Sequence, residues 1–139
     1  MSNIIYKPAR KILTIPYRVY YMLLTLVPFG YLTCKEDMET FVAKILGKNE
    51  VMFDPHTDVH YFYLHKDEIP YWREVGKTGY LFGRHIHFSR ETQEAMLIGE
   101  NHTILTDSRG AKKVQSYKEK FYNFELAGIT LEDITSWIN

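Results

Sequence analysis

Two apolar stripes at helical spacing, each closed by its own stop signal, constrain the fold more than any other feature of this chain. Val19, Met22, Leu23, Leu26 and Val27 recur at intervals of three and four, which predicts a helix over Tyr17–Val27 with Pro16 at its entry. Pro28-Phe29-Gly30 ends it. Met38, Phe41, Val42, Ile45 and Leu46 repeat the pattern in a second helix starting near Cys34. Thr33 and Glu36 form a T-x-x-E capping box there, and Gly47 supplies the stop. Ser89 caps a third helix, Arg90–Glu100, with Ala95, Met96 and Ile98 or Leu97 inward and Asn101 at a left-handed cap. Thr130 and Asp133 open a last helix before Ile134 and Trp137. Over residues 50–69 the helical period is lost. Val51-Met52-Phe53 reads as a short strand, Asp54-Pro55 as a turn, and Val59–Leu64 as strand or irregular. Residues 80–88 read as loop or extended. His102–Leu105 and Val114 onward flank an Asp107-Ser108-Arg109-Gly110 turn and predict a small hairpin. The class is therefore α+β, mostly helical, with a short sheet or wing.

At 139 residues the chain fits one domain. Lys+Arg and Asp+Glu are both 17, so whole-chain charge does not draw it to nucleic acid or an anionic membrane. Local charge is uneven: Lys7, Arg10, Lys11, Arg18 and Lys35 precede the first carboxylate, Glu36. That basic N-terminal arm (1–16) reads either as a solvated segment or as a phosphate-contacting edge. Aromatic residues reach 15%, enough to line a core and also a pocket or partner surface. The one cysteine, Cys34, excludes an internal disulfide framework and points to a reducing, cytoplasmic setting. The uncharged stretch Val19–Cys34 is short of the ~20 apolar residues a spanning helix needs, and no signal-peptide pattern is found.

Four constellations are candidates for chemistry. Asp54, His56, Asp58 and His60 alternate, with His85-x-His87 as a second cluster; an extended segment would bring the first four to one side, where imidazole and carboxylate suit a metal. Solvated loop histidines are the plainer reading. Cys34 lies near a helix N-terminus, which lowers a thiol pKa, but a buried or semi-buried bystander is the plainer reading. No phosphate-cradling glycine loop and no G-x-S-x-G elbow is present, so the motifs describe a domain without catalysis or cofactor. Pro70-Tyr71-Trp72-Arg73 places two large aromatics and a planar cation after a fixed backbone, either as core or as the wall of a pocket for a flat ligand such as a base.

The order of signals resembles the DNA-binding domain of the O6-alkylguanine-DNA alkyltransferases, and more closely their cysteine-free, alkyltransferase-like members. The residues that carry the resemblance are Pro28-x-Gly30-x-Leu32-Thr33, then Ile69-Pro70-Tyr71-Trp72-Arg73-x-Val75, then Gln93, Met96-Leu97 and Glu100-Asn101-His102. It covers about Tyr17–Leu105, leaving 106–139 as a C-terminal hairpin and helix extension. It implies a small winged-helix-like scaffold. It also implies that Tyr71 and Trp72 replace the acceptor cysteine and its histidine, while Arg73 matches the family arginine. A phenol cannot replace a thiolate as acceptor. The resemblance thus implies a non-catalytic protein that holds an alkylated, flipped guanine of double-stranded DNA against Tyr71, Trp72 and Arg73 and flags it for a repair partner. Thr33 and Lys35 fall in the motif that meets the DNA backbone, and Lys44 and Lys48 are the cations available where the family carries its arginine-finger run. Two other readings stand beside this one: a protein-interaction module on the same scaffold, and a metal-dependent enzyme using the Asp/His cluster.

Overall fold

The computed structural model describes residues 12–82 and 88–139. Lys7, Arg10 and Lys11 of the basic arm, and His85 and His87, lie outside them. Strand β1 (Leu13–Pro16) runs directly into helix α1 (Tyr17–Leu26), and α2 (Lys35–Leu46) leads to β2 (Val51–Asp54). β1 and β2 pair in parallel, Leu13 opposite Val51 and Pro16 opposite Asp54, which the helical crossover between them makes possible. Residues 13–16, expected within the arm, are therefore a strand. Four residues with one deeply buried side chain, Ile15, leave no alternation to read.

Helix α1 forms as expected, but its buried face is much wider than the stripe. Tyr17, Val19, Tyr20, Tyr21, Leu23 and Leu24 are all buried, while Leu26 is exposed. The helix is central, touching β1, β2 and α6 (Leu131–Ile138), so it has no single inner side. Tyr17 stacks on Tyr20 at 4.4 Å, and Tyr20 meets Phe53 at 5.8 Å; the high aromatic content thus goes first into this core.

At the entry to α2 the expected capping box does not form: Cys34 is the N-cap and no side chain caps the helix. Thr33 is instead held by a parallel bridge, its N–H donating to Arg73 O (2.8 Å) and its carbonyl accepting from Val75 N (2.9 Å). Gly47, at φ +66°, closes the helix as anticipated.

Val59–His65 is a helix, α3, not an extended segment. Asp58, at φ +58°, turns the chain into it, and Tyr61 and Phe62 pack against Tyr21 (5.9 and 5.8 Å). Every residue of α3 is apolar, aromatic or histidine, so no polar face marked its period. A 3-10 turn (Tyr71–Arg73) follows, then α4 (Arg90–Gly99). The Ser89 cap is present, its hydroxyl accepting from Thr92 N, and Asn101 is left-handed at φ +70°. Ala95, Met96 and Ile98 do not face inward; they are exposed, and the inner side of α4 is Gln93 with Leu97. The hairpin is β3 (Ile104–Thr106) with β4 (Lys112–Val114), antiparallel. A short helix, α5 (Tyr117–Lys120), follows, and α6 opens with the Thr130–Asp133 capping box.

The molecule is α+β and mostly helical, with two apolar clusters. The larger is built on α1 and also takes in Phe124 and Ile134 from the C-terminal segment. The smaller joins Leu32, Val75, Leu81, Leu97 and Val114 under the hairpin. Among the described residues no helix is long and apolar enough to cross a membrane.

Candidate functional site

The Asp54–His60 alternation performs a structural task. Pro16 has no side chain to cap α1, and its free amides turn to this segment: Tyr17 N donates to Thr57 Oγ1 (2.8 Å) and Arg18 N to Asp58 Oδ2 (3.1 Å). Asp54 Oδ1 accepts from His56 N. A turn followed by a helix separates the four side chains, and among the described residues no three His, Cys, Asp or Glu groups are placed to hold a metal. For these four residues the metal reading, which needed an extended segment, loses its geometry; its other histidines, His85 and His87, lie outside the described residues. Cys34 is fully buried, and burial pushes its thiol up to about 12, opposite to the helix-terminus expectation.

Tyr71, Trp72 and Arg73 are brought together, each half-buried, on the 3-10 turn between the two clusters. The Tyr71 ring stacks on Phe88 at 5.3 Å and meets Phe62 of α3 (6.2 Å) and Trp72 (5.3 Å) edge-on. Behind this aromatic wall lies a buried carboxylate, Glu100. It accepts from Trp72 Nε1, from Arg73 Nε (2.9 and 3.0 Å) and from Gly30 N (3.0 Å). Arg73 Nη1 also donates to Val27 O (2.6 Å). Glu100 therefore ties the turn after α1, the Tyr-Trp-Arg segment and the end of α4 to one point. Burial pushes its carboxyl up, but the hydrogen bonds from Arg73, Gly30 and Trp72 and the Arg73 charge outweigh this and hold it below the ordinary value.

Two more buried polar groups complete the frame. Gln93 Nε2 donates to Trp72 O (3.1 Å) and Glu74 O (2.6 Å), and its Oε1 accepts from Phe82 N (3.1 Å). Tyr20 of α1 donates its hydroxyl to the Glu74 carboxylate. Gln93 stands in a motif that carries the resemblance, but the motif gave it no such role, and Tyr20 in an apolar stripe carries no pattern.

The residues of 12–139 expected to meet a DNA backbone are interleaved with carboxylates. Thr33 is buried in its bridge. Lys44 is ion-paired with Glu125, and Glu36, Glu39 and Glu50 share a groove with Lys44 and Lys48. Lys35 sits in the first turn of α2, next to Glu36 and Asp37.

His102, beside Glu100, is buried with no hydrogen-bond partner on either ring nitrogen. Burial, then Lys120 and Arg73, lower its pKa, with Glu100 opposing. The fold thus favours neutral imidazole, and its stabilising contribution is complete above the ordinary value near 6.5 and lost as pH falls below it. The urea midpoint is accordingly expected to drop between pH 7.5 and 5.5, and the drop to shrink in His102→Phe. An equal drop in both proteins refutes the assignment.

No protein-family model matches this sequence, and no curated protein does. Two solved structures share its fold. A crystal structure of S. pombe Atl1 in complex with damaged DNA containing O6-carboxymethylguanine aligns with a TM-score of 0.52 and 19% identity, covering 77% of this chain and 94% of Atl1. A structure of S. pombe ATL in complex with DNA aligns with the same score and coverage at 18% identity. Over three quarters of its length, this chain has the fold of Atl1.

Proposed function

We propose that this chain recognises an alkylated guanine in double-stranded DNA, receives the flipped base against the Tyr71 wall, and transfers no alkyl group. The observation that carries the reading is the Tyr71 ring, half-exposed, stacked on Phe88 and braced from behind by Glu100 and Gln93. By resemblance it stands where the alkyltransferases hold their acceptor thiol. Stacking on an aromatic face is a sequence-tolerant way to hold a base. Trp72 and Arg73 flank the Tyr71 ring in the pocket, and their hydrogen bonds to Glu100 hold them in place beside the base. The lone thiol, Cys34, is buried and kept protonated, so it offers no ready acceptor. The fold shared with a protein solved on damaged DNA supports the same reading. Lys35 at the start of α2 and Lys48 just past its end are the cations there available to phosphates. A lesion bound and left chemically intact requires a second, repair-competent protein as partner. The alternative, a protein-interaction module, is favoured by one feature: the outer side of α3 exposes Val59, Tyr63 and Leu64.

The test is a titration of a short labelled duplex carrying one O6-methylguanine, against the matching unmodified duplex, followed by anisotropy. A damaged base costs less to unpair and extrude than an intact one, which sets the expected preference for the modified duplex at about tenfold or more, and base–aromatic stacking of about 1–3 kcal/mol holds the extruded base. Tyr71→Ala is expected to abolish that preference, and the intact mass of the protein to stay unchanged after incubation. Equal affinity for the two duplexes overturns lesion recognition; a mass gain of one methyl overturns the non-catalytic assignment.

A further inference from the structure

We propose that hairpin β3–β4 together with α5 is a second contact surface for the DNA phosphate backbone, apart from the Tyr71 wall. This rests on the DNA reading above and adds to it where the strand is gripped. From Arg109 to Lys120 there are five Lys or Arg and one carboxylate, Glu119, in a chain whose total charge is zero. The fold adds Arg90 to this set: its Nη1 donates to Gly110 O (3.3 Å) at the hairpin tip.

Two of the carboxylates nearby are already engaged, and a third, Glu119, lines the groove beside the hairpin. Asp107 Oδ1 accepts from Arg109 N (2.8 Å) and Ala111 N (2.9 Å), so it builds the turn that displays Arg109. Glu94 pairs with Lys112 at 3.5 Å. On the other side of β4, Lys113 Nζ lies over the rings of Tyr80 (5.2 Å) and Tyr117 (4.9 Å). That cradle is tight. Gly79, at φ +85°, has the Tyr117 ring where a side chain would begin, with Cγ 2.4 Å from an ideal Cβ. Its carbonyl accepts from Val114 N (2.9 Å). A groove of about 360 Å³ runs beside it, with Lys113, Gln115, Ser116, Tyr117, Lys118 and Glu119 in its lining.

Pre-positioned cations beside a groove suit a polyanion, because little side-chain freedom is lost on binding. The charge decides the occupant. An acidic backbone complements this surface, whereas on α2 the lysines are interleaved with Glu36, Asp37 and Glu39.

The experiment measures binding of the unmodified and O6-methylguanine duplexes across a salt series. For the wild type, log K falls linearly with log salt. The variant Arg109→Gln/Lys113→Gln/Lys118→Gln is expected to reduce the magnitude of that slope by about 2–3, at ~0.9 per phosphate contact, and to weaken both duplexes about 10–100-fold at low salt. Their ratio stays unchanged. Because Lys113 touches two rings, Arg109→Gln/Lys118→Gln, which alters exposed residues only, is run alongside and is expected to lower the slope by about 2. An unchanged slope in this double variant, melting as the wild type does, overturns the inference while leaving lesion preference intact. A hairpin-dependent slope with equal affinity for the two duplexes keeps the inference and removes lesion recognition. Absence of binding to either duplex at low salt overturns both.

Discussion

Glu100→Ala is expected to cost about 3–5 kcal/mol of folding stability, the range for removing one partner of a buried ion pair. The carboxylate is 6% exposed and the Arg73 side chain 14%, so solvent does little to screen the charge left behind. Three donors lose their acceptor together: the Trp72 indole, the Arg73 guanidinium and the Gly30 amide. They belong to two separate stretches, the turn after α1 and the Tyr-Trp-Arg segment, and Glu100 joins both to the end of α4, so the loss loosens the wall as a unit. Urea unfolding at neutral pH measures it, and a loss below about 1 kcal/mol, the scale of an exposed pair, refutes the buried-node assignment. Glu100→Gln separates charge from shape, since the amide keeps an acceptor oxygen while Arg73 loses its counter-charge. The pH dependence has a definite sign. The folded carboxyl titrates below its ordinary value of 4.5, so its contribution is complete above that value and lost as pH falls through the lowered one. In Glu100→Gln the acid limb of the stability profile is expected to flatten in that range. The lesion preference is expected to weaken in step, because the Tyr71 ring stands on the segment that Glu100 holds.

What the sequence showed and what it hid separate along physical lines. Stop and start signals were legible wherever they act locally: Gly47, Ser89, Asn101 and the Thr130–Asp133 pair are where the chain's own chemistry places them. The Thr33–Glu36 box failed because a non-local bridge to Glu74 claims Thr33. Apolar periodicity located α1 and α2 but misjudged α4, whose inner side is a glutamine and a leucine while Met96 and Ile98 face out. It missed α3, where aromatics on every side erase the period. The Pro-Tyr-Trp-Arg wall was legible from residue type and from the family resemblance. The groups that position it were not, because Glu100, Gln93, Tyr20 and Val27 converge only through long-range folding.

Gln93→Leu is the second large effect expected. Gln93 is completely buried, and its amide makes three hydrogen bonds to backbone atoms of Trp72, Glu74 and Phe82. Leucine fills similar space but answers none of them. With about 1–3 kcal/mol for each buried group losing its partner, and partial relief from a neighbouring acceptor or from water, the loss is about 3–5 kcal/mol. The direction of each bond makes the site hard to replace. Two carbonyls need donors and one amide needs an acceptor, a set that a primary amide satisfies and neither Glu nor Lys does. Gln93→Glu is therefore also expected to destabilise, since it sets a carboxylate oxygen against two carbonyls. Hydrogen exchange gives the sharper reading. In Gln93→Leu the Phe82 amide is expected to lose protection by more than global unfolding accounts for, while the α1 amides follow global unfolding alone. Retained protection at Phe82 contradicts the assignment. The consequence for binding follows from position: Gln93 holds the backbone on either side of Arg73 to the start of the segment leading to Phe88, the two halves of the aromatic wall. A base stacks on that wall only while the halves are held together, so the variant is expected to bind modified and unmodified duplexes equally at temperatures where it remains folded.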